Sequence, residues 1–411
     1  MTGAHFPGLG YYKLASNVIL PGIETYVDFW FRTRHLHGLI LFLASVTLDD
    51  FIAVEMRDGR PRLIFDCQKG VSLVTPKTSL EFSDYKWHFV RISRSKRAGK
   101  IIVDDKYSGE GESPVGASYI DKNTGVFIGG IGIGVKLNRH ILNHVYSLNS
   151  SIGFIGCIRN LRLQNNIVNF QNATEKVNVD RVDSGCPLSS DAGFYLKGGG
   201  YLSLVKGVFD GNKIYSISFD FRTFYSSGLL MFVYAEGTGI ESYLAVMLEN
   251  RTVRVLYRTR NSNGNITVVP KRSICDGIWH KLSLTNFASS VFTLDIDGDT
   301  RTDMPISNLI VTSELYFGGL PSGSLAARKA GSIGLRTDFL FGGCFKSIQT
   351  NRRVNVLTEL SSSVNVDFSG CPSNTKINGT GMDKCNNETE DLVYVGTLQD
   401  TVDGELAPFT G

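Results

Sequence analysis

The sequence predicts an all-β protein of two tandem jelly-roll β-sandwiches followed by an acidic tail. Short runs of β-branched and aromatic residues alternate with Gly, Asp and Asn throughout the chain, a pattern typical of antiparallel strands joined by turns. No stretch of ten residues or more keeps a helical hydrophobic period. The same motifs also occur twice in the same order, which indicates two copies of one strand-rich domain.

The repeat divides the chain. Six motifs return at offsets of 185 to 192 residues, whereas solenoid repeats run roughly 20–50 residues. The motif pairs are Phe31-Arg32-Thr33 with Phe221-Arg222-Thr223, Phe51-Ile52-Ala53-Val54 with Tyr243-Leu244-Ala245-Val246, Trp87-His88 with Trp279-His280, Ile128-Gly129-Gly130 with Phe317-Gly318-Gly319, Gly156-Cys157 with Gly343-Cys344, and Ser184-Gly185-Cys186-Pro187 with Ser369-Gly370-Cys371-Pro372. We therefore expect a first domain over 1–187, a second over 188–372 and a tail over 373–411.

The strands and turns of each copy follow from the same alternation. The predicted strands of the first copy are 27–31, 39–43, 51–56, 62–65, 88–92 and 101–103. Segment 138–140 is interpreted as loop, 198–200 as a bend before a strand, and Asp297-Gly298 as a hairpin turn. Each Trp-His pair is interpreted as a core tryptophan followed by a histidine at a strand edge.

Composition is that of an ordinary globular protein, with 42% hydrophobic and 20% charged residues. The tail differs, because residues 372–411 carry 2 basic and 7 acidic groups, a charge of −5. No apolar run reaches the roughly 18 residues that a membrane helix needs, so no membrane insertion is expected. No signal peptide is recognisable at the start. We expect a secreted or extracellular part of a larger protein, whose signal peptide lies outside this sequence.

The cysteines and sequons favour the secretory route. Cys157–Cys186 and Cys344–Cys371 recur at spacings of 29 and 27, without the Cys-x-x-Cys clusters of a zinc site, and so predict one disulfide per copy. Cys67, Cys275 and Cys385 stay unassigned, and an odd cysteine pairs elsewhere or stays free. N-glycosylation is predicted at six Asn-x-Ser/Thr sequons, which are Asn149, Asn172, Asn250, Asn265, Asn378 and Asn387.

The joint order of motifs over residues 5–371 resembles the laminin G-like domain, present twice. The resemblance implies a jelly-roll sandwich of two antiparallel sheets, as in laminin α chains, neurexins and agrin. Those domains are non-enzymatic extracellular modules of matrix and adhesion proteins, which bind at one rim through calcium, acidic glycans or a protein. The tail, with Leu406, Pro408 and Thr410, resembles the middle of a fibronectin type III domain.

Carried over from the family, calcium would be held in the first domain by Asp50 and the backbone carbonyl of Cys67. Calcium prefers carboxylate and carbonyl oxygens on a rigid frame, completed by water. A further ligand is expected from the loop after Gly130, where Asn138 and Asn143 are the candidates and no Asp is present. Ser242 takes the matching position in the second copy, so no calcium site of this type is expected there. The alternative without a ligand is that Asp49-Asp50 forms a solvated turn before a strand.

Basic residues predict acidic-glycan binding. Arg91, Arg94, Lys96, Arg97 and Lys100 fall within ten residues around one hairpin, and Arg254, Arg258 and Arg260 share strand parity. The partner would be a glycan of heparan-sulfate type, or a matrix or cell-surface protein of collagen or integrin type. The alternative is a scatter of solubilising charges. Nucleic acid is not expected, because no helix or aromatic platform is recognisable beside these charges in the sequence.

The sequence also bears on catalytic and zinc-binding functions. A jelly-roll glycosidase needs two carboxylates facing one cleft, and no Glu-x-Asp-x-Glu strand occurs, so no enzyme is expected. His140 and His144 have helical spacing but no Cys or Glu beside them, which makes zinc a weak alternative. A structural spacer within a long ectodomain remains open, because glycans at the sequons would suit a shielded spacer.

Overall fold

The structure is a computed structural model. It describes residues 3–372 except for 9, 20, 46–49, 117, 122–123, 133, 180–189, 212–213, 238–240, 288–290, 307 and 336–340. The predicted pairing partner Cys186, the unassigned Cys385, the sequons at Asn378 and Asn387, and the predicted tail domain lie outside the described residues. The fold is all-β, with 50% strand and 7% helix. No helix within the described part of the chain is long and apolar enough to cross a membrane.

The first domain is a sandwich of two antiparallel sheets. Its strands are β1 Gly3–Phe6, β2 Tyr11–Leu14, β3 Glu24–Arg32, β4 Gly38–Ala44, β5 Phe51–Arg57, β6 Arg60–Asp66, β7 Val71–Val74, β8 His88–Ser95, β9 Ala98–Val103, β10 Tyr107–Glu112, β11 Val126–Ile128, β12 Gly156–Leu163, β13 Asn166–Ile167 and β14 Glu175–Val177. One sheet has the order β1-β12-β3-β8-β9-β10, with β13 beside β12. The other has the order β14-β2-β11-β4-β5-β6-β7.

The second domain repeats this order of strands. They are β15 Ser190–Asp191, β16 Phe194–Leu204, β17 Tyr215–Arg222, β18 Gly228–Tyr234, β19 Tyr243–Glu249, β20 Thr252–Arg258, β21 Asn263–Val268, β22 His280–Phe287, β23 Val291–Ile296, β24 Asp299–Asp303, β25 Leu315–Phe317, β26 Gly343–Gln349, β27 Leu360–Asp367 and β28 Cys371–Pro372. The long β16 pairs with both β25 and β26, and so joins the two halves into one sheet of order β21-β20-β19-β18-β25-β16-β26-β17-β22-β23-β24. β15 pairs with β28 at the domain's closure.

The predicted strands of the first copy are all present, extended by one to three residues at one or both ends. The hairpin at Asp297-Gly298 is also confirmed, because both residues have positive φ between β23 and β24. The interpretation of 198–200 as a bend before a strand is wrong. These glycines lie inside β16, where the pairing with β27 shifts register between Leu196 and Tyr201, since glycine allows a strand to distort without ending.

The helices are short, α1 Arg139–His144, α2 Tyr146–Asn149 and α3 Leu325–Ser332, with 3-10 turns at Ser16–Val18 and Phe170–Asn172. Reading 138–140 as loop was therefore wrong. Asn138 is the N-cap of α1, and its side chain accepts a hydrogen bond from the Ile141 backbone N–H at 2.9 Å. The capping bond makes the first turn stable without a helical hydrophobic period.

Each domain buries its core between its sheets and covers the outside of one of them. In the first domain Val27, Phe29 and Phe31 of β3 point into the sandwich core. A second apolar layer packs on the outer face of the β4-β5-β11 side, where Ile141, Val145 and Leu148 cover it. In the second domain α3 covers the corresponding face through Ala326 and Ala330. The outer face of the β12-β3-β8 side carries no such layer among the described residues.

The Trp-His pairs are placed differently from the prediction. Trp87 and Trp279 are half-buried on the outer face of a sheet and do not lie in the core. Their rings instead stack against Arg32 and Arg222, whose guanidinium carbons lie 4.8 and 4.9 Å from the ring centroids. The strand-edge position of the histidines is confirmed, because β8 and β22 begin at His88 and His280.

The second domain contains the disulfide Cys344–Cys371, as predicted, and it ties β26 to the closing strand β28. Cys157 is also disulfide-bonded, as is Cys275, which the sequence left unassigned. Cys67 is a free, buried thiol.

The two domains are in direct contact near the end of β27. The His5 ring nitrogen Nε2 lies 2.7 Å from the Ser369 hydroxyl oxygen, and the His35 Nε2 lies 2.8 Å from the Phe368 carbonyl oxygen. The Phe368 backbone N–H donates to the carbonyl of Pro7. Ile155, from the first domain, packs within the apolar core cluster of the second. The junction is thus a buried interface as well as a covalent link.

Candidate functional site

The candidate rim site of the first domain is centred on Asp50, which directly precedes β5. Its side chain is fully buried, with 0% exposure. Oδ2 accepts hydrogen bonds from the Asp121 backbone N–H at 2.7 Å and from the Gln68 side-chain amide at 3.1 Å. Oδ1 is also buried and has no hydrogen-bond partner among the described residues. One carboxylate oxygen is therefore fixed while the other lacks a donor.

Burial raises the pKa of Asp50, since it disfavours the charged carboxylate. The hydrogen bonds from Asp121 and Gln68 oppose that rise, whereas the negative charges of Asp66 and Asp121 add to it. A buried carboxylate oxygen without a donor is costly unless a proton or a cation compensates it. The donor set of the site thus fits a hard cation.

Cys67 is brought beside Asp50 by strand pairing. Phe51 of β5 pairs with Asp66 of β6, so continuing the register by one residue places Asp50 opposite Cys67. The Gln68 contact agrees with that register. The Cys67 thiol points to Arg94, whose Nη1 lies 3.9 Å from the sulfur, and burial raises the pKa of the thiol. The calcium ligand that the family resemblance implies at Cys67 is its backbone carbonyl and not this buried thiol.

The third predicted ligand, Asn138, has its side-chain oxygen engaged in capping α1. Its helix instead brings His140 to the rim, where Nε2 lies 2.8 Å from Asp66 Oδ2. Within the described ranges no group of three or more His, Cys, Asp or Glu side chains is placed to share one metal ion. A cation at Asp50 would accordingly depend on backbone carbonyls and water for its other ligands, which calcium accepts.

In the second domain the position that corresponds to Asp50 has the same backbone surroundings, and a neutral residue, Ser242, occupies it. Ser242 precedes β19 as Asp50 precedes β5, and it is equally buried. Its hydroxyl accepts a hydrogen bond from the Ile310 backbone N–H at 3.0 Å, the role that Asp50 Oδ2 plays for the Asp121 N–H. The backbone N–H at this position of the second domain therefore has its hydrogen-bond acceptor without a carboxylate.

The structure disperses the predicted basic cluster of the first domain. Arg94 is 2% exposed and donates to the backbone carbonyls of Gly22, Lys96 and Ser118, so it cannot meet a surface ligand. Its inward direction follows from strand parity, since Val90 and Ile92 also point inward on β8. The other four predicted cations, Arg91, Lys96, Arg97 and Lys100, lie at or near the surface.

Acidic neighbours moderate several of these charges. Arg91 pairs with Asp105 at 3.0 Å and Lys100 with Glu110 at 2.6 Å. Arg97 lies 3.5 Å from Glu112. In the second domain Arg254 pairs with Glu249 and Arg258 with Glu241, each at 2.7 Å, while Arg260 is exposed. Such exposed pairs are weak and solvent-screened.

The sequons that fall on described residues are all exposed. Asn149 ends α2, Asn172 ends a 3-10 turn, Asn250 lies in a turn and Asn265 lies on β21. Their side chains are thus placed where an attached glycan would meet no core packing.

The sequence reasoning missed a row of aromatic and cationic side chains on the outer face of the β12-β3-β8 side. Arg159, Trp30 and Phe89 lie side by side across the three strands. The alternation of side chains along β3 could have predicted the outward position of Trp30. Val27, Phe29 and Phe31 point inward, so the residue between Phe29 and Phe31 must point outward.

Two antiparallel sandwiches in tandem, each with a loop-built rim, define the chain as a pair of jelly-roll domains. Family models described as "Laminin G domain" match residues 31–166 and 221–355, and the chain belongs to this family. Human usherin is 30% identical to this chain in an alignment that covers 100% of the chain. Human laminin subunit alpha-1 is 27% identical over 78% of the chain, and mouse laminin subunit alpha-4 is 27% identical over 83%.

These relatives are much longer than the chain, which spans 8% of human usherin, 10% of laminin subunit alpha-1 and 18% of laminin subunit alpha-4. Among solved structures, domains LG4-5 of the mouse laminin alpha1 chain superimpose with a TM-score of 0.71 at 20% identity, covering 91% of this chain and 95% of that one. The LG1-3 region of the laminin alpha2 chain gives 0.64 at 21% identity, covering 90% and 66%. These likenesses show the fold.

Proposed function

We propose that this chain is a non-enzymatic adhesion module of a larger extracellular matrix or cell-surface protein, with a calcium-dependent rim on its first domain. It belongs to the family whose members include the laminin α chains, and exposed sequons and disulfides suit the secretory route. Its partners are matrix or cell-surface proteins and acidic glycans.

The observation that carries the rim proposal is the buried Asp50 Oδ1, which has no donor among the described residues. A calcium ion held by this carboxylate and the Cys67 carbonyl would supply the missing positive charge and order the loops around it. The rim would then present a fixed, charged surface to a partner.

The experiment is calcium titration calorimetry on the metal-stripped chain, with Asp50→Ala beside it. The parent is expected to bind one calcium ion and the variant none. Ser242→Ala, at the matching position of the second domain, is the control and should bind as the parent does. Calcium affinity unchanged by Asp50→Ala would refute this placement, and a parent that binds no calcium would refute the rim.

A structural spacer is the second candidate, and the buried domain junction favours it. A rigid pair suits a load-bearing ectodomain segment, because His35, Ile155 and Phe368 fix the domains against each other. Solution scattering that requires a broad range of interdomain angles would contradict this role.

A further inference from the structure

In the first domain an aromatic row crosses the sheet face that the described helices leave uncovered. On β3, β8 and β12 the inward residues fill the core, which leaves Trp30, Phe89 and Arg159 on the outside. All three side chains are half-buried. Helices cover the opposite outer face, so the row lies on the side of the sandwich that the described helices leave open.

The row continues as an alternation of rings and guanidinium groups. The Arg159 guanidinium carbon lies 4.1 Å from the Trp87 ring centroid and 5.5 Å from that of Trp30. The Trp30 and Phe89 centroids are 5.2 Å apart, and Arg91 lies 5.2 Å from Phe89. We call Trp30, Phe89, Arg91 and Arg159 the aromatic platform. At these distances each guanidinium makes a favourable cation–π contact with its ring.

The register shows that the second domain has no counterpart of these rings. Arg159, Trp30 and Phe89 pair in line on β12, β3 and β8. Lys346, Asp220 and Lys281 take the same places on β26, β17 and β22. The second domain forms the same three-strand pairing with these charged residues in place of the rings. The two rings in the first copy are therefore a feature of this face and not a requirement of the fold.

We propose that the aromatic platform is a binding face for a linear acidic polysaccharide, one that carries sulfate or carboxylate groups on sugar rings. This inference rests on the proposed function and names the place where an acidic glycan binds. A sugar ring packs on the solvent-accessible parts of Trp30 and Phe89, and Arg91, which is 52% exposed, receives an anionic group beside them. A stacked guanidinium can hold an anion through two parallel N–H bonds.

Charge on the face agrees with an anionic ligand. Arg162 is exposed in the adjacent row, where Asp28 lies between it and Arg91 in register. Burial raises the pKa of Asp28, and the two arginines oppose that rise. Arg91 is 52% exposed even while it contacts Asp105, so a polyanion can compete for it. A face built from neighbouring strands suits an extended chain better than a compact ligand.

The test is binding of a heparin-derived oligosaccharide to the full chain, measured by calorimetry in calcium-free buffer. The main variant is Trp30→Asp with Phe89→Lys, which copies the second domain and leaves the net charge unchanged. We expect about tenfold weaker binding, because stacking is lost while long-range attraction stays. Circular dichroism checks that the variant is folded. A hyaluronan oligosaccharide, which carries carboxylates without sulfates, distinguishes the two anionic groups.

Two further variants keep the inference testable should the main one misfold. Arg91→Gln, on the exposed surface, should weaken binding severalfold and flatten its salt dependence. The matched control, Lys96→Gln with Arg97→Gln, removes two cations of the neighbouring hairpin and should bind within about twofold of the parent.

The outcomes separate this inference from the proposed function. Loss of binding in the platform variants alone supports it. Binding that falls only in the hairpin variant overturns the platform but leaves the chain a glycan-binding module. A parent that binds neither oligosaccharide overturns both the platform and the glycan partner, and then Trp30 and Phe89 would be part of a protein contact.

Discussion

At the residue scale, polar groups inside this protein differ in whether the fold satisfies them. Arg94 is buried, yet its guanidinium is shared among several backbone carbonyls. Burial lowers its pKa, while the neighbouring Cys67 opposes that change. Asp50 is equally buried but leaves one oxygen without a described donor. Burial is therefore compensated at Arg94, and the described residues do not compensate it at Oδ1 of Asp50.

Asp50→Asn should raise the stability of the calcium-free first domain at neutral pH. Burial raises the pKa of Asp50 in the folded state, so the folded protein holds this proton more tightly than the unfolded chain. Stability from this group therefore falls as pH rises from about 4 through the folded pKa. The asparagine variant lacks this titration, and its advantage should vanish toward pH 4.

Thermal unfolding in chelator at several pH values measures the effect, with Ser242→Ala as the control. Adding calcium should reverse the order and favour the parent. A variant less stable than the parent at pH 7 without calcium would sink the interpretation.

At the element scale, short motifs in the sequence mark places where two elements approach closely. Gly129 has a φ of +86°, and a Cβ there would lie 2.1 Å from the Phe6 ring. Its repeat, Gly318, has a φ of +79°, and a Cβ would lie 2.2 Å from Leu196. The Gly-Gly motif is thus the point where β11 and β25 end against a packed side chain.

Removing the disulfide Cys344–Cys371 by alanine at both positions should destabilise the second domain. The bridge closes a loop with a sequence separation of 27, for which chain entropy gives about 3.5 kcal/mol. It also holds β28 beside β15, where Arg222 contacts Asp191 at 2.9 Å. Urea unfolding followed by the fluorescence of Trp279, in a background with Trp30→Phe and Trp87→Phe, reports this domain. Cys67→Ala removes a thiol without removing a cross-link and should cost less, and equal losses in the two variants would contradict the prediction.

At the scale of the whole molecule, the two domains meet at a junction that contains two histidines. Burial lowers the pKa of His35, and Arg34 adds to that effect. The Phe368 carbonyl and Asp367 oppose it. His5, on β1, faces Asp367 and Ser369. The junction therefore prefers His35 neutral.

The junction should weaken on acidification. A histidine with a lowered folded-state pKa gives stability that is present above about pH 6.5 and is lost as pH falls below it. His35→Gln keeps a donor for Phe368 and does not titrate, so its interface should lose less stability between pH 7.5 and 5.5. Hydrogen exchange at residues 367–369 is the measurement, and His144→Gln, an exposed histidine, is the control. The same pH slope in the parent and His35→Gln would count against the junction as the acid-sensitive element.

The sequence by itself determined the class of fold, the two copies, the strands of the first copy and the second-domain disulfide, because these depend on local alternation and on spacing that repeats. It did not determine which cations share a surface. Arg94 turns inward and is held by the carbonyls of Gly22 and Ser118, and Trp87 stacks against Arg32 and Arg159. Residues distant in sequence make these contacts. The alignment of Arg159 with Trp30 and Phe89 joins three strands separated by long stretches of chain. The His35–Phe368 contact joins two domains. These arrangements were set by the tertiary structure, since burial and register are properties of the packed sheets and not of any one segment.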